Sequence, residues 1–245
     1  IPGAGLARLV SKLLNETNVP RLRVSSLQPQ EMTEELLELW GSPRLCPHFH
    51  LPLQSGSAAI LRRMRRRYTP LQYADAVEAI RVRIPDAAIT ADVIVGFPGE
   101  MDALFQESYR LCQSIGFAGI HVFPYSPRPG TSAAHFTDAV EQRVKRERTK
   151  RILALAKEQA WLYRQGLLGT TRPVLWETSA RVGNSTVWSG LADNYVRVAA
   201  RSDEPLANRV TDAILERLSG DVVWGSAATQ RTYATPTVRP AQEPA

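Results

Sequence analysis

Apolar positions in the first two thirds of the chain follow two periods, one typical of buried strands and one typical of amphipathic helices. Four strand-like segments, 21–29, 48–57, 88–100 and 120–131, each end in a polar or glycine-rich turn that leads into a helical segment. Strands that alternate with helices form a parallel sheet, and ligands bind beyond the carboxyl ends of its strands. The pattern predicts an α/β fold whose four junctions converge on one active-site rim.

Helical segments with one apolar face separate these strands and follow the last one. We expect helices at 6–14, 31–40, 57–67, 71–83, 102–115 and 140–168. Thr33 is the expected N-cap of the second helix. Cys112 lies on the apolar face of helix 102–115, which predicts a packed core residue and not a reactive thiol. The apolar stripe expected on the last helix consists of Leu153, Ala156, Ala160 and Tyr163.

The pattern changes after about residue 168. Five short alternating segments follow, at 171–176, 186–191, 195–200, 209–216 and 221–224, with turn signals between them. Such a series predicts a small β-barrel of the oligonucleotide-binding type. The stretch 229–245 is rich in Pro, Ala and Thr and predicts a disordered tail. We therefore divide the chain into a partial (β/α) barrel over 1–165, a small β-barrel over 166–228 and the tail.

Charge and cysteine content narrow the class of protein. Lys and Arg number 30 against 24 Asp and Glu, and the net charge of +6 favours an anionic partner, although basic surfaces are common. No apolar run approaches the length of a membrane-spanning helix. Cys46 and Cys112 are too few for a disulfide scaffold or a self-contained cysteine metal site, and they suit a reducing cytosol. Because the first residue is Ile1, we expect a piece of a longer polypeptide.

The second junction offers hydrogen-bonding groups. A period of two places His48, His50 and Gln54 on one face. Gln54 and Ser55 can bind a ligand's hydroxyls at the carboxyl end, although a turn closed by Gly56 also explains them. Two histidines two residues apart can bind a metal, as in hydrolase barrels. Because both lie at the start of the strand, we favour hydrogen-bonded core histidines and keep a metal-dependent hydrolase as the less favoured alternative.

The third and fourth junctions combine stiff backbone with candidate binding groups. The third strand ends in GFPGE, where Gly96 allows a ligand close to the backbone and Glu100 can accept bonds from a sugar or amine. A Pro-Gly turn with Glu100 in the first turn of the next helix fits equally well. The fourth strand ends in PYSPRPGT, a stiff turn suited to the wall of a pocket. There Arg128 can meet a carboxylate or phosphate, or remain solvated.

Basic residues are concentrated after the second junction, in a run that contains Arg62, Arg63, Arg65, Arg66 and Arg67. Such a run is usually a solvated face. Together with the positive net charge and a small β-barrel, it favours a polyanionic partner. In the second part of the chain, Tyr195 with Arg197 and Trp188 near Arg181 can stack on unpaired bases, or can be buried in the barrel.

The four junctions together resemble one enzyme family. SSLQP, HFHLPLQSGS followed by MRRRYT, TADVIVGFPGE and HVFPYSPRPGT occur in the same order and spacing as in the radical SAM methylthiotransferases, and the barrel resembles their RNA-binding TRAM domain. The resemblance covers nearly the whole chain apart from the tail. CPHFHLPLQSGS, HVFPYSPRPGT and DNYVRV are most similar to the MtaB branch, which methylthiolates threonylcarbamoyladenosine beside the tRNA anticodon. The isopentenyladenosine (MiaB) and ribosomal-protein (RimO) branches are near alternatives.

The resemblance implies a radical mechanism. In the family, a [4Fe-4S] cluster in a CxxxCxxC loop donates an electron to S-adenosylmethionine, the 5′-deoxyadenosyl radical takes a hydrogen from the adenine ring, and a second cluster supplies the sulfur. The family pocket for S-adenosylmethionine and the target base maps onto Ser25, Ser26, Gln54, Ser55, Gly96, Pro98, Glu100 and Tyr125. The implied partner is the anticodon stem-loop of a cytoplasmic tRNA, bound by Arg62, Arg63, Arg65, Arg66, Arg67, Arg128, Tyr195 and Arg197.

The chain departs from the family pattern in its cysteines. It contains no CxxxCxxC, Cys46 and Cys112 match no cluster ligand, and the amino-terminal domain that holds the second cluster is missing. We expect the later part of the radical barrel followed by the TRAM domain. Because clusters require thiolates, we expect this polypeptide alone to be inactive. A non-catalytic RNA-binding remnant is the alternative that the same residues allow.

Overall fold

The computed structural model describes residues 5–230, and side chains up to residue 227. The helices are α1 (Leu6–Glu16), α2 (Glu34–Glu38), α3 (Ala58–Arg63), α4 (Pro70–Arg83), α5 (Asp102–Ile115) and α6 (Gln142–Gly166). The first three strands are β1 (His48–His50), β2 (Ala88–Val95) and β3 (Gly119–Pro124). The others are β4 (Thr171–Val182), β5 (Ser185–Ala192), β6 (Arg197–Arg201), β7 (Val210–Ser219) and β8 (Val222–Gln230). The predicted tail, from residue 231 onward, lies outside the described residues.

The first three strands form a parallel sheet with β2 in the centre, as the β–α alternation predicts. Alternate side chains of β2 point to opposite faces. One set is buried in the main core and consists of Ile89, Ala91, Val93 and Val95. Thr90, Asp92 and Ile94 are only partly buried, and they occupy the other face, which we call the open face. The open face is therefore the side of the sheet that ligands can reach.

The prediction of a strand over residues 21–29 was wrong. The segment runs beside β1, but backbone bonds join it only near its ends, where Leu22 bonds to Arg44 and Cys46, and Leu27 bonds to His50. Between these points Ser26 has a φ of 60°, a left-handed conformation that is incompatible with a continuous ladder. Pairing of β1 likewise ends early, and the chain rejoins β2 through a single bridge between Gln54 and Val93.

The expected helices form, with one error in α6. Thr33 caps α2 by accepting a hydrogen bond from the Leu36 N–H, and Cys112 is buried in α5, both as predicted. Leu153 was expected on the apolar stripe of α6 but is 48% exposed, so that part of the prediction was wrong. The buried face instead includes Gln159, whose amide bonds to the backbone of Phe117 and Cys112. The buried face also contains Ile152, Leu155 and Ala156, so it lies about one position away from the predicted stripe at Leu153. Within residues 5–230, none of the helices is both long and apolar enough to cross a membrane.

The second part of the chain forms a closed five-stranded barrel in the order β4-β5-β6-β8-β7, which confirms the five predicted strands. Trp176 fills its core, and the indole N–H donates to Thr211 Oγ1 at 2.9 Å. Trp188, for which the sequence allowed either base stacking or burial in the barrel, is buried, and its indole N–H donates to the Ser202 carbonyl. The apolar area of an indole drives such burial when its N–H finds a partner. Trp188 is therefore a structural residue of the barrel.

Polar contacts join the barrel to the α/β part. The Tyr163 hydroxyl on α6 donates to the Asp86 carbonyl at 3.0 Å and accepts from Asn194 Nδ2 at 3.1 Å. Burial raises the pKa of Tyr163, so this hydroxyl keeps its proton. Arg172 in β4 forms an ion pair with Asp86 at 2.8 Å. The Arg21 guanidinium donates to two carbonyls at the end of β5. These contacts lie at the amino-terminal end of the sheet and leave its carboxyl end open.

Candidate nucleotide-binding cleft

A cleft of about 740 Å³ opens at the carboxyl ends of β2 and β3. Gln54, Asp92 and Ile94 form its floor. Four arginines line the cleft. Arg63 ends α3, Arg65 and Arg66 follow it, and Arg128 lies in the turn after β3. The aromatic side chains of the cleft are Phe97, Phe123, Tyr125 and Phe136. A volume of this size, with apolar surfaces and a few polar groups, suits a ligand of nucleotide size.

The arginines of the basic run lie on different surfaces, because α3 ends in the middle of the run. The helix stops at Arg63, and Arg65 adopts a left-handed conformation with a φ of 57° that turns the chain toward the cleft. Arg63 pairs with Asp138, and its guanidinium carbon lies 4.4 Å from the centre of the Phe136 ring. Arg67 lines a separate cavity of about 320 Å³, whereas Arg62 is exposed and lines neither cavity. Three arginines of the run therefore face the cleft.

Two residues of the predicted pocket, Gln54 and Tyr125, line the cleft. Gln54 has a φ of 62° and is 8% exposed. Its N–H donates to the Asp92 carbonyl at 2.8 Å, and its carbonyl accepts from the Ile94 N–H at 2.8 Å. Left-handed backbone at a buried residue other than glycine is strained, and such strain is concentrated at functional sites. The Tyr125 ring packs edge-on against Phe97, with 5.0 Å between the ring centres.

Gly96, Pro98 and Glu100 form a buried turn behind the cleft. The Gly96 N–H donates to Glu100 Oε2 at 2.6 Å, and Arg148 of α6 donates to the same oxygen at 2.9 Å. Arg148 also donates to the Glu100 carbonyl at 2.7 Å. Burial of Glu100 raises the pKa of its carboxyl, and the Gly96 N–H and Arg148 only partly oppose that rise. Glu100, predicted to bind a sugar or amine, thus fastens the turn to α6.

The serines of the predicted pocket lie elsewhere. Ser25 and Ser26 are exposed and are not among the side chains that line the cleft. Ser55 is fully buried, and its hydroxyl bonds to Ser108 Oγ at 3.0 Å and accepts from the Ser57 N–H at 3.2 Å. This hydroxyl holds the second junction against α5. Because Ser55 and Gln54 are neighbours in one motif, the sequence pattern could not show that Gln54 lines the cleft while Ser55 does not.

Tyr195 and Arg197 occupy a different surface from the cleft. The Tyr195 ring stacks on His48, with 4.8 Å between ring centres, and the Arg23 guanidinium carbon lies 4.0 Å from the centre of the Tyr195 ring. Tyr195 is half exposed, and Arg197 is exposed with a long contact to Ser189 Oγ. Since His48 begins β1, this surface is at the opposite end of the sheet. The residues predicted to bind RNA therefore do not share one surface: four arginines line the cleft, Arg67 lines another cavity, and Tyr195 and Arg197 lie at the opposite end of the sheet.

The two histidines of β1 are hydrogen-bonded, as favoured from the sequence. His48 Nε2 and His50 Nδ1 lie 3.0 and 3.1 Å from Thr90 Oγ1. Burial lowers the pKa of His48 to about 4, with further contributions from Arg23 and His50. His50 Nε2 lies 3.4 Å from Asp92 Oδ2. Asp92 was missed from the sequence, although a carboxylate in an otherwise apolar strand is a signal for a functional residue.

Comparison with known proteins supports the resemblance. A family model described as the radical SAM superfamily matches residues 6–112. The chain is 37% identical over 210 residues to the threonylcarbamoyladenosine tRNA methylthiotransferase MtaB of Bacillus subtilis, covering 83% of this chain and 46% of that protein. The chain belongs to the radical SAM methylthiotransferase family. A second MtaB relative, from Thermotoga maritima, is 37% identical over 196 residues, which is 80% of this chain and 44% of that protein.

Another branch of the family is similarly close. The tRNA-2-methylthio-N(6)-dimethylallyladenosine synthase of a Parafrankia strain is 41% identical over 169 residues, 69% of this chain and 34% of that protein. The chain thus spans less than half the length of these curated relatives. The solved structure of the radical SAM enzyme coproporphyrinogen III oxidase (HemN) from Escherichia coli aligns with a TM-score of 0.51 at 12% identity. It covers 77% of this chain and 50% of that one, and shows a shared fold.

Membership of the family implies S-adenosylmethionine and iron–sulfur chemistry in general, but the cysteines of this chain do not fit a cluster. Cys46 and Cys112 are the two cysteines of the sequence, and both are buried. Burial raises the pKa of Cys112 to about 12, which disfavours the thiolate that iron requires. Within residues 5–230 no group of three or more His, Cys, Asp or Glu side chains is arranged to hold a metal ion.

Proposed function

We propose that this chain is the substrate-binding later part of a methylthiotransferase that modifies N6-threonylcarbamoyladenosine beside the tRNA anticodon. The observation that carries the proposal is the cleft, in which four arginines and four aromatic rings surround a polar floor at the carboxyl ends of the strands. The two MtaB relatives favour threonylcarbamoyladenosine. Dimethylallyladenosine is the second candidate, supported by the third relative.

The chemistry of the cleft matches an RNA nucleotide. Arginine binds phosphate with several N–H groups, and an unpaired base can stack on aromatic side chains once it is turned out of its loop. Arg65, Arg66 and Arg128 supply the cations, and Phe123, which is exposed, is available for stacking. The role of the described residues in this proposal is to bind and orient the nucleotide.

S-adenosylmethionine is the proposed cofactor, and it supplies a 5′-deoxyadenosyl radical when a reduced cluster is bound next to it. Gln54 and Tyr125 are the residues that we propose to contact it or the target base, while the turn from Gly96 to Glu100 shapes the cleft from behind. The cluster ligands have no counterpart in this chain, so we propose that the polypeptide alone is inactive. A stable cluster detected by iron and sulfide analysis after anaerobic reconstitution would contradict that proposal.

The proposed activity is tested on cellular tRNA. In cells that lack the gene of the full-length protein, we expect mass spectrometry of tRNA nucleosides to show loss of the 2-methylthio derivative of threonylcarbamoyladenosine and accumulation of its precursor. Loss of methylthiolated isopentenyladenosine would instead support the second candidate. A tRNA profile without any change would contradict both assignments and would leave the ribosomal-protein branch or a non-catalytic RNA-binding protein.

Reversing charges in the cleft should weaken RNA binding. We expect the double variant Arg65→Glu with Arg128→Glu to bind an anticodon stem-loop RNA less tightly, with the slope of log K against log salt reduced by about one unit per lost phosphate contact. Fluorescence anisotropy over a series of salt concentrations measures both quantities. The control, Arg83→Glu with Arg110→Glu, makes the same change of net charge outside the cleft. Equal effects of the two pairs would show that only overall charge matters.

A further inference from the structure

A row of polar side chains in contact, joined by hydrogen bonds at Thr90 and by an ion-pair contact at Asp92, crosses the open face of the sheet and ends in the cleft. It begins at His48, whose Nε2 lies 3.0 Å from Thr90 Oγ1. The same hydroxyl lies 3.1 Å from His50 Nδ1. His50 Nε2 lies 3.4 Å from Asp92 Oδ2, and Asp92 lines the floor of the cleft. The row thus connects a buried histidine at one end of the sheet to a carboxylate that faces the candidate site.

The buried surroundings of His48 determine which atoms of the row donate hydrogen bonds and which accept them. His48 Nδ1 is buried and has no hydrogen-bond partner. An unpaired lone pair costs less than an unpaired buried N–H, so the proton of His48 is placed on Nε2, which donates to Thr90. The Thr90 hydroxyl then donates to His50 Nδ1. The proton of His50 is then on Nε2, the ring atom that lies 3.4 Å from Asp92 Oδ2 in an ion-pair contact.

The other acceptor sites of Asp92 are available to a ligand. Its side chain is 26% exposed on the cleft floor, next to Gln54. Four arginines line the same cleft, yet within the described residues the ion-pair contact of Asp92 is with His50. A carboxylate accepts up to four hydrogen bonds, and bonds to an ionised acceptor are among the stronger ones. Asp92 is therefore an acceptor, in contact with His50, in the same cleft as the aromatic rings and the arginines.

We infer that Asp92, oriented by His50, accepts hydrogen bonds from N–H or O–H groups of a nucleoside bound in the cleft. This inference rests on the proposed function, in which the arginines bind phosphate and the rings pack on the base. Two groups of a nucleoside share the required chemistry, the ribose hydroxyls and the exocyclic amine of the base. Asp92 is a ligand-contacting residue in this arrangement, and His50 is a positioning residue.

The test measures adenosine binding to the 245-residue chain by calorimetry. We expect Asp92→Ala to weaken adenosine binding by about tenfold to a hundredfold, the range for a hydrogen bond to a charged group. Asp75→Ala, which removes an exposed carboxylate on α4, is the matched control and should leave the affinity unchanged. Asp92→Asn provides a second variant of nearly the same shape, and thermal unfolding shows whether each variant is folded.

The role of His50 is tested with two substitutions, one that keeps an N–H donor and one that removes it. Glutamine retains an N–H donor near the position of Nε2, so His50→Gln should preserve more of the adenosine affinity than His50→Leu does. A merely structural role of the histidine predicts equal losses in the two variants. Comparison of adenosine with 2′-deoxyadenosine, 3′-deoxyadenosine and purine riboside in Asp92→Ala identifies the donor, because the analogue that lacks the donor should not respond to the substitution.

Two results would overturn the inference: unchanged adenosine affinity in Asp92→Ala, or absence of adenosine binding to the unsubstituted chain at millimolar concentration. Both are separate from the proposed function, which is judged on tRNA nucleosides from cells. A cellular loss of methylthiolation together with unchanged binding in Asp92→Ala would keep the function and reject the role of Asp92.

Discussion

Arg148→Met should destabilise the protein by about 3–5 kcal/mol, the cost of removing one partner from a buried ion pair. Arg148 and Glu100 are both almost inaccessible, and Arg148 donates to the carboxylate and to the backbone carbonyl of Glu100. Methionine keeps much of the side-chain volume but leaves the carboxylate of Glu100 without its counter-charge. Urea denaturation followed by circular dichroism measures the change in the free energy of unfolding.

The loss should depend on pH with a defined sign. Burial already raises the pKa of Glu100 above its ordinary 4.5, and removal of Arg148 raises it further. The folded variant then holds a proton that the unfolded chain releases, so stability falls as pH increases from about 4.5 through the raised pKa. We expect a larger destabilisation at about pH 8 than at about pH 5.

The double variant Glu100→Gln with Arg148→Met is the control for this charge effect. Glutamine cannot ionise, so the pH-dependent part of the loss should disappear and part of the stability should return. A destabilisation of Arg148→Met that is the same at both pH values would show that lost packing, and not the buried carboxylate, is responsible.

Gly96→Ala should cost about 2–4 kcal/mol, the sum of backbone strain and overpacking. The φ of Gly96 is 71°, and an added Cβ would clash with Lys145 Cγ. Lys145 cannot easily move away, because its side chain is buried and Nζ donates to the Tyr125 carbonyl at 3.1 Å. The substitution therefore also disturbs a residue of the cleft wall. Thermal and urea unfolding measure the loss of stability.

Gly116→Ala is the matched control for Gly96→Ala. Gly116 has nearly the same φ, 66°, at the end of α5, but an added Cβ meets no atom within 4 Å. Its substitution should cost only the backbone strain, about 1–2 kcal/mol. Combining Lys145→Ala with Gly96→Ala should recover the packing part of the loss. Equal costs at Gly96 and Gly116 would contradict the close approach of α6 to this turn.

Elements with a strong local pattern were predicted well. The bounds of α5, the capping of α2 by Thr33 and the five barrel strands all follow from periodicity and turn residues in nearby sequence. Segment 21–29 has an equally strand-like pattern, but its ladder depends on partners elsewhere in the chain and is interrupted at Ser26. Leu153 was misplaced for a related reason, since burial is decided by what packs against a residue, and the sequence could not decide between stacking and burial for Trp188 for the same reason.

In the candidate site, too, some features follow from the local sequence and others depend on distant parts of the chain. Gln54, Tyr125, Arg63, Arg65, Arg66 and Arg128 were singled out from the sequence and line one cleft. Ser55 and Glu100 share the same motifs, but their polar atoms are bonded to α5 and α6. Asp92 lines the cleft and was not singled out: its carboxylate in an apolar strand was a signal, but the sequence does not show that this face of the sheet remains open. Whether a polar side chain lines the cleft or holds a turn depends on hydrogen-bonding partners that are distant in sequence.

The sequence by itself determined the family, the α/β class and the places of the helices and of most strands along the chain, because these follow from motifs and periodicities that local chain segments carry. The tertiary structure decided which polar groups of the four junctions face a ligand. Most buried polar groups are paired, and Arg148 of α6 provides Glu100 with a partner that is distant in sequence. Only the folded chain therefore separates groups used to hold the turns from groups such as Asp92 that remain available in the cleft.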